Sequence, residues 1–212
     1  MLIATAAVAE DPEGADFMRR MLPESYDNPS GYKLAATLQK LFTYTTEDAL
    51  HTDYDVAYSN FFSGKAAMLP NGYWLIDQIP DGWEDKVRFA AFPQRTMVAS
   101  PETFGWAVVS TYSDEVKEAA VEFLKFRTHY NKQEKEAFFT QDFEEAPKVL
   151  SDYMEAFTKA AQIVPNYQVK WNSILQEKTI GEALPLLKEG KIDTEGFVKM
   201  ADESIKEYAA EQ

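Results

Sequence analysis

The stretch from Phe61 to Trp74, FFSGKAAMLPNGYW, holds the residue types best suited to recognition chemistry. Aromatic residues end a helix, Gly64 turns the chain, a short apolar run follows, and Asn71-Gly72 makes a second turn. Tyr73 and Trp74 come directly after it. With Ala66 to Leu69 as a short buried strand, the two rings stand at its carboxyl end, where open α/β sheets place their ligand crevices. A ring in that position can stack on the C–H face of a sugar while neighbouring polar groups take the hydroxyls. The alternative is that Tyr73 and Trp74 begin an amphipathic helix and pack into the core. Asn71 can face a ligand or satisfy its own backbone. Trp83, after Asp81-Gly82, reads as a surface or packing residue.

Other chemistries find little support. The chain has no cysteine, which excludes thiol catalysis, disulfides and cysteine-type zinc sites. His51 and His129 are its only histidines and lie far apart, as surface or satisfied core residues do. There is no Gly-x-Ser-x-Gly elbow, no glycine-rich phosphate loop and no metal-ligand spacing of histidines. His51 to Asp55 lacks the glycine and terminal glutamate of a calcium loop and reads as a helix start. A glycoside hydrolase needs two carboxylates ~5–9.5 Å apart across a sugar site. With 35 acidic residues such a pair always exists, and most of them, such as Asp114, Glu115, Glu144 and Glu145, fall at helix starts or solvent faces. The chain therefore reads as non-catalytic, with no cofactor and no metal. Its net charge of −14 repels phosphate backbones, and no basic patch offsets it, so nucleic acid is not an expected partner.

The elements that must position these residues are mostly helices. Asn28-Pro29 caps and opens one with Leu34, Leu38, Leu41 and Phe42 on one face. Another starts near Asp53, carries Tyr54, Tyr58, Phe61 and Phe62, and ends where Gly64 takes a left-handed conformation. Ser113 opens a third with Val116, Ala119, Ala120, Phe123 and Leu124 inward. A fourth carries Tyr153, Ala156, Phe157 and Ala160, and the last, capped by Thr194, carries Phe197, Met200, Ala201, Ser204 and Tyr208. Short strands are expected at Ala66 to Leu69, Val87 to Phe92 and Phe104 to Ser110. Loops are expected at Pro93 to Pro101 and around Pro165. Short strands among longer helices predict an α/β fold. Met1 to Ala9 is apolar but lacks a basic leader and runs into Glu10 and Asp11, so a buried strand or helix end is expected rather than a signal peptide. No run approaches the ~20 apolar residues of a membrane span.

The aromatic helix followed by GKAAM and N-G-x-W closely resembles the family 1 extracellular solute-binding proteins of ABC importers, the group that includes maltose-binding protein. Later segments keep the family's order: FGWAVVS, then SDEVKEAAVEFLKF, then VPNYQVKW, then LKEGKIDTEGFVKMADESIKEY. The likeness runs from about Tyr32 to the C-terminus. It implies a periplasmic-binding-protein-like type II α/β fold, represented mostly by the helix-rich C-terminal lobe, with the N-terminal lobe largely missing. It further implies that residues 1–104 form the first part of the C-terminal lobe, that 105–150 cross to the N-terminal lobe, and that 151–212 return with the closing helices.

In function, the resemblance implies a substrate-binding component of an ABC importer that holds a sugar or oligosaccharide between lobes and passes it to permease subunits. Trp74 and Trp171 become stacking aromatics, Trp106 a cleft residue, and Asn71 and Tyr73 further ligand-binding candidates. The implied location is extracellular or periplasmic, as a lipoprotein or otherwise membrane-anchored protein, with the targeting segment upstream of Met1. In the family's chain order the helix from Ser113 packs on the other lobe, so its apolar face is expected to be adhesive where bare, through self-association or segment exchange between copies. A carbohydrate-active enzyme and a plain interaction domain without a small ligand are the competing readings.

Overall fold

Asn28 and Pro29 begin the helix around which the core is built. The Asn28 side chain accepts a hydrogen bond from the Gly31 N–H (3.0 Å), and proline at the first position sacrifices no helical hydrogen bond. In the computed structural model, which describes residues 1–20, 23–99, 108–140, 148–165 and 173–210, this helix runs over Pro29–Phe42. It is α3. Before it come α1 (Leu2–Val8) and α2 (Pro12–Arg19). α2 starts in the same manner: Asp11 accepts from the Gly14 N–H (2.7 Å), with Pro12 next in line. In each start a glycine occupies the third helical position because backbone crosses there. A Cβ on Gly14 would overlap the Val8 carbonyl, and one on Gly31 the Tyr26 carbonyl.

Contacts divide the chain into two units, one made of Met1–Ser100 with Lys148–Gln212 and the other of Pro101–Pro147. The larger unit holds the core. Leu34, Ala35 and Leu38 of α3 meet Ala4 and Val8 of α1 and Phe197, Val198, Ala201 and Ile205 of a C-terminal helix, Thr194–Ala210. That helix starts from Asp193, whose carboxylate accepts from the Gly196 N–H (2.9 Å), so the cap lies one residue before the expected Thr194. Its Asp202 accepts from Ser25 Oγ (2.9 Å) and the Tyr26 N–H (2.5 Å), fastening the approach to α3. This unit also contains α4 (Tyr54–Phe62), a 3-10 helix (Tyr73–Gln78), a helix over Lys148–Thr158, and a run of α, π and α turns over Ser173–Gln176, Glu177–Ala183 and Leu184–Lys188. Met1 to Ala9 holds a buried helix, one of the two forms expected of it.

The fold is helix-rich α/β, with its strands elsewhere than expected. β1 (Thr96–Val98) and β2 (Gln162–Val164) pair in parallel, Met97 opposite Ile163, in stretches read from the sequence as loops. Gln162 Nε2 donates to the Ala9 carbonyl (2.5 Å) and to Thr96 Oγ1 (3.0 Å), joining the pair to the end of α1. β1 is entered through Gln94 and Arg95, both in the left-handed region (φ 58 and 57). Val87 to Phe92 forms no strand beyond a bridge from Phe92 to Thr96, because the Phe89 N–H is taken by the Asp152 carboxylate (3.2 Å). Ala66 to Leu69 forms none either. The Ala66 N–H turns back to the Asn60 carbonyl (3.1 Å), and Met68 is 85% exposed. The expected strand at Phe104 to Ser110 lies largely outside the described residues.

The smaller unit is dominated by one long helix, α5 (Asp114–Thr140). Val116 and Phe123, expected to point inward, are 47% and 53% exposed. Ala120 and Leu124 are half-buried.

Candidate functional site

The aromatic helix α4 stands apart from the core. Asp53 caps it by accepting from the Val56 N–H (3.1 Å). It closes as a Schellman turn, with Lys65 N–H donating to the Asn60 carbonyl (2.9 Å), Gly64 N–H to the Phe61 carbonyl (3.0 Å), and Gly64 at φ 78. None of its residues is buried. Its rings pack instead on one another and on Trp83. Tyr58 and Phe62 lie 4.5 Å apart between centroids, and Phe62 meets Trp83 edge to face at 5.4 Å. Lys86 Nζ sits 5.2 Å from the Trp83 ring centroid. Trp83 is thus a packing residue.

Beyond the turn, Asn71 does two things at once. Its Oδ1 accepts from the Gly72 N–H (2.8 Å), and its Nδ2 donates to Tyr54 Oη (3.0 Å) at the start of α4. The Tyr54 hydroxyl in turn donates to Gln78 Oε1 (3.3 Å) at the far end of the 3-10 helix. Tyr73 opens that helix, and Trp74 follows, 51% exposed as a residue, with its ring laid against Gly72, where a Cβ would overlap the indole. Buried Leu75 anchors the turn from below. Trp74 therefore sits neither at a strand end nor in the core. Its half-exposed ring follows directly after Asn71, which begins an amide–phenol–amide chain.

This turn packs against the helix Lys148–Thr158, which is α6. Asp152 of α6 binds Arg88 through two bonds, to Nε (2.5 Å) and Nη2 (2.7 Å), and accepts the Phe89 N–H. Lys148 meets Asp85 at 3.1 Å, and Phe89 meets Tyr153 edge to face at 5.1 Å. The Arg88 guanidinium, helped by the Phe89 N–H, holds the Asp152 carboxyl below its ordinary range. Arg88 is raised by the same pair. Residues 85–89 and α6 thus form a braced support under the Trp74 turn.

No protein-family model, curated protein or solved structure matches the chain.

Among the described residues, no group of three or more His, Cys, Asp or Glu is placed to hold a metal ion. No described helix is long and apolar enough to cross a membrane. Of the residues singled out in the sequence, Asn71 and Trp74 both meet Gly72, and Tyr73 adjoins them in the chain. Trp106 and Trp171 lie outside the described residues. Tyr54 and Gln78 join the site without having been singled out. Tyr54 stands on the aromatic face of α4 in the sequence, and its bond to Asn71 spans 17 positions, which no local pattern marks.

Proposed function

We propose that this chain is a carbohydrate-binding component of an ABC importer. In this reading it supplies the C-terminal lobe of a type II periplasmic-binding-protein-like receptor that acts outside the cytoplasm and hands its sugar to permease subunits. The observation that carries the proposal is the half-exposed Trp74 ring seated on Gly72, with Asn71, Tyr54 and Gln78 hydrogen-bonded in a row beside it. An indole face takes the apolar face of a pyranose, and amide and phenol groups exchange their mutual bonds for bonds to its hydroxyls. The ordered set of resembling segments supports the same reading. So does the chain's division, in which residues 101–147 form a unit of their own between two stretches of the other. A chain that crosses from one lobe to the other and back has that arrangement. Trp106, Trp171 and Tyr73 are the further ligand contacts that the resemblance adds.

A single half-exposed ring binds weakly, so association is expected near millimolar concentration, worth about 4 kcal/mol. The test is indole emission of the chain titrated with maltodextrins and xylan fragments. The expected result is a saturable shift that Trp74→Ala abolishes while far-ultraviolet circular dichroism stays unchanged. Silence toward every sugar overturns the carbohydrate assignment.

A further inference from the structure

Asn71 and Gly72 bring a backbone nitrogen against a side-chain carbonyl that it can attack. The Gly72 N–H donates to Asn71 Oδ1 at 2.8 Å, which sets its nitrogen beside the adjoining carbon, Cγ. A bond from that nitrogen to Cγ closes a succinimide ring, and groups already in contact avoid the entropy of finding each other. Glycine adds no side chain to crowd the nitrogen, and every other asparagine of the chain is followed by a residue that has one. Asn60 lies inside α4, where the following N–H belongs to the helix ladder, and Asn28 precedes a proline, which has no N–H to lose.

The nitrogen that would leave has a proton donor beside it. Asn71 Nδ2 and Tyr54 Oη lie 3.0 Å apart, within the reach of a general acid. In the resting turn the amide donates to the phenol oxygen. Once Cγ becomes tetrahedral, Nδ2 is an amine with a lone pair, and the phenol can turn its proton to it from Gln78 Oε1. Tyr54 is brought there by α4 from 17 positions earlier, so the fold supplies this donor and the Asn-Gly pair does not.

We infer that Asn71-Gly72 is a self-modifying turn, in which the Gly72 nitrogen displaces ammonia from Asn71 with Tyr54 as proton donor. The Gly72 nitrogen gives its proton to a base in solution, hydroxide at alkaline pH, and bonds to Cγ. The Cγ–Nδ2 bond breaks, ammonia leaves with the Tyr54 proton, and the phenolate regains one from water. Water then opens the succinimide at either carbonyl, leaving aspartate or isoaspartate at position 71. Neither product has a side-chain N–H to donate to Tyr54, so that bond is lost. The reaction does not depend on the carbohydrate reading, and sugar titrations neither support nor oppose it.

Peptide-mapping mass spectrometry of the whole folded chain, incubated at neutral and alkaline pH in heavy-oxygen water, tests it. Residue 71 is expected to lose ammonia, take up heavy oxygen on ring opening, and yield aspartyl and isoaspartyl peptides, faster as pH rises. Gly72→Ala crowds and displaces the nitrogen and is expected to slow the loss by roughly tenfold to a hundredfold. Tyr54→Phe is expected to slow it by about tenfold with circular dichroism unchanged, less than a full general-acid effect because water also donates. In urea the Tyr54→Phe chain and the wild type should convert at the same rate, since unfolding takes the phenol away. An Asn71 that stays intact in the folded chain, conversion that falls on other asparagines instead, or a folded Tyr54→Phe chain that converts as fast as wild type overturns the proposal.

Discussion

The indole of Trp74 lies on Gly72 so closely that residue 72 has no room for a side chain. The backbone there is extended (φ −109, ψ 177), a conformation any residue adopts, so the demand for glycine is one of space alone. Gly72→Ala should therefore push the ring outward without straining the main chain. Because Trp74 is already half exposed, the cost in stability should stay below about 1 kcal/mol. The readout is a red-shifted tryptophan emission and loss of any sugar-induced shift, at an unchanged unfolding midpoint.

Gly31→Ala should behave in the opposite way. Its Cβ meets the Tyr26 carbonyl, and the Tyr26 backbone is fastened to Asp202 (2.5 Å), so the chain cannot step aside cheaply. A loss of about 3 kcal/mol, the upper part of the overpacking range, is expected in urea unfolding. Gly181→Ala is the control. Nothing lies within 4 Å of its Cβ position, and the substitution should stabilise by about 0.5–1 kcal/mol.

The Arg88–Asp152 pair makes stability depend on acid. Asp152 is held below the unfolded aspartate value of about 3.9. A folded value below the unfolded one gives stabilisation that is complete above the unfolded value and is lost as pH falls through the folded one. Asp152→Asn should flatten the melting temperature against pH between about pH 5 and about pH 2, relative to wild type. A curve that parallels wild type through that window contradicts the assignment.

Gln94 and Arg95 are consecutive left-handed residues without being glycine. Each left-handed conformation costs an L-residue about 1–2 kcal/mol. Gln94→Gly removes most of that strain and adds unfolded-chain freedom worth about 0.5–1 kcal/mol. A net gain of up to about 1 kcal/mol should appear as a higher unfolding midpoint.

Helix starts were legible because their causes are local. Asn28 and Asp53 cap within three residues of themselves, Pro29 needs only its own ring, and Gly64 takes a left-handed turn wherever the chain folds back. The stripe Leu34–Leu38 was legible because burial repeats with the helical period. The candidate site was legible in part. Asn71-Gly72 announces a turn with aromatics directly after it, whereas Tyr54 and Gln78 enter only because α4 and the 3-10 helix come together.

Taken alone, the sequence determined a helix-rich chain without cysteine, the starts of the helices after Asn28, Asp53 and Ser113, and an aromatic turn after Asn71-Gly72. Tertiary structure alone decided which short apolar runs became strands. A strand exists only when a second stretch satisfies its N–H and C=O groups. Gln162–Val164 does this for Thr96–Val98, while Asp152 takes the Phe89 N–H and the end of α4 takes that of Ala66. Three-dimensional packing likewise decided that Tyr54 meets both Asn71 and Gln78, because those bonds join residues 17 and 24 positions apart.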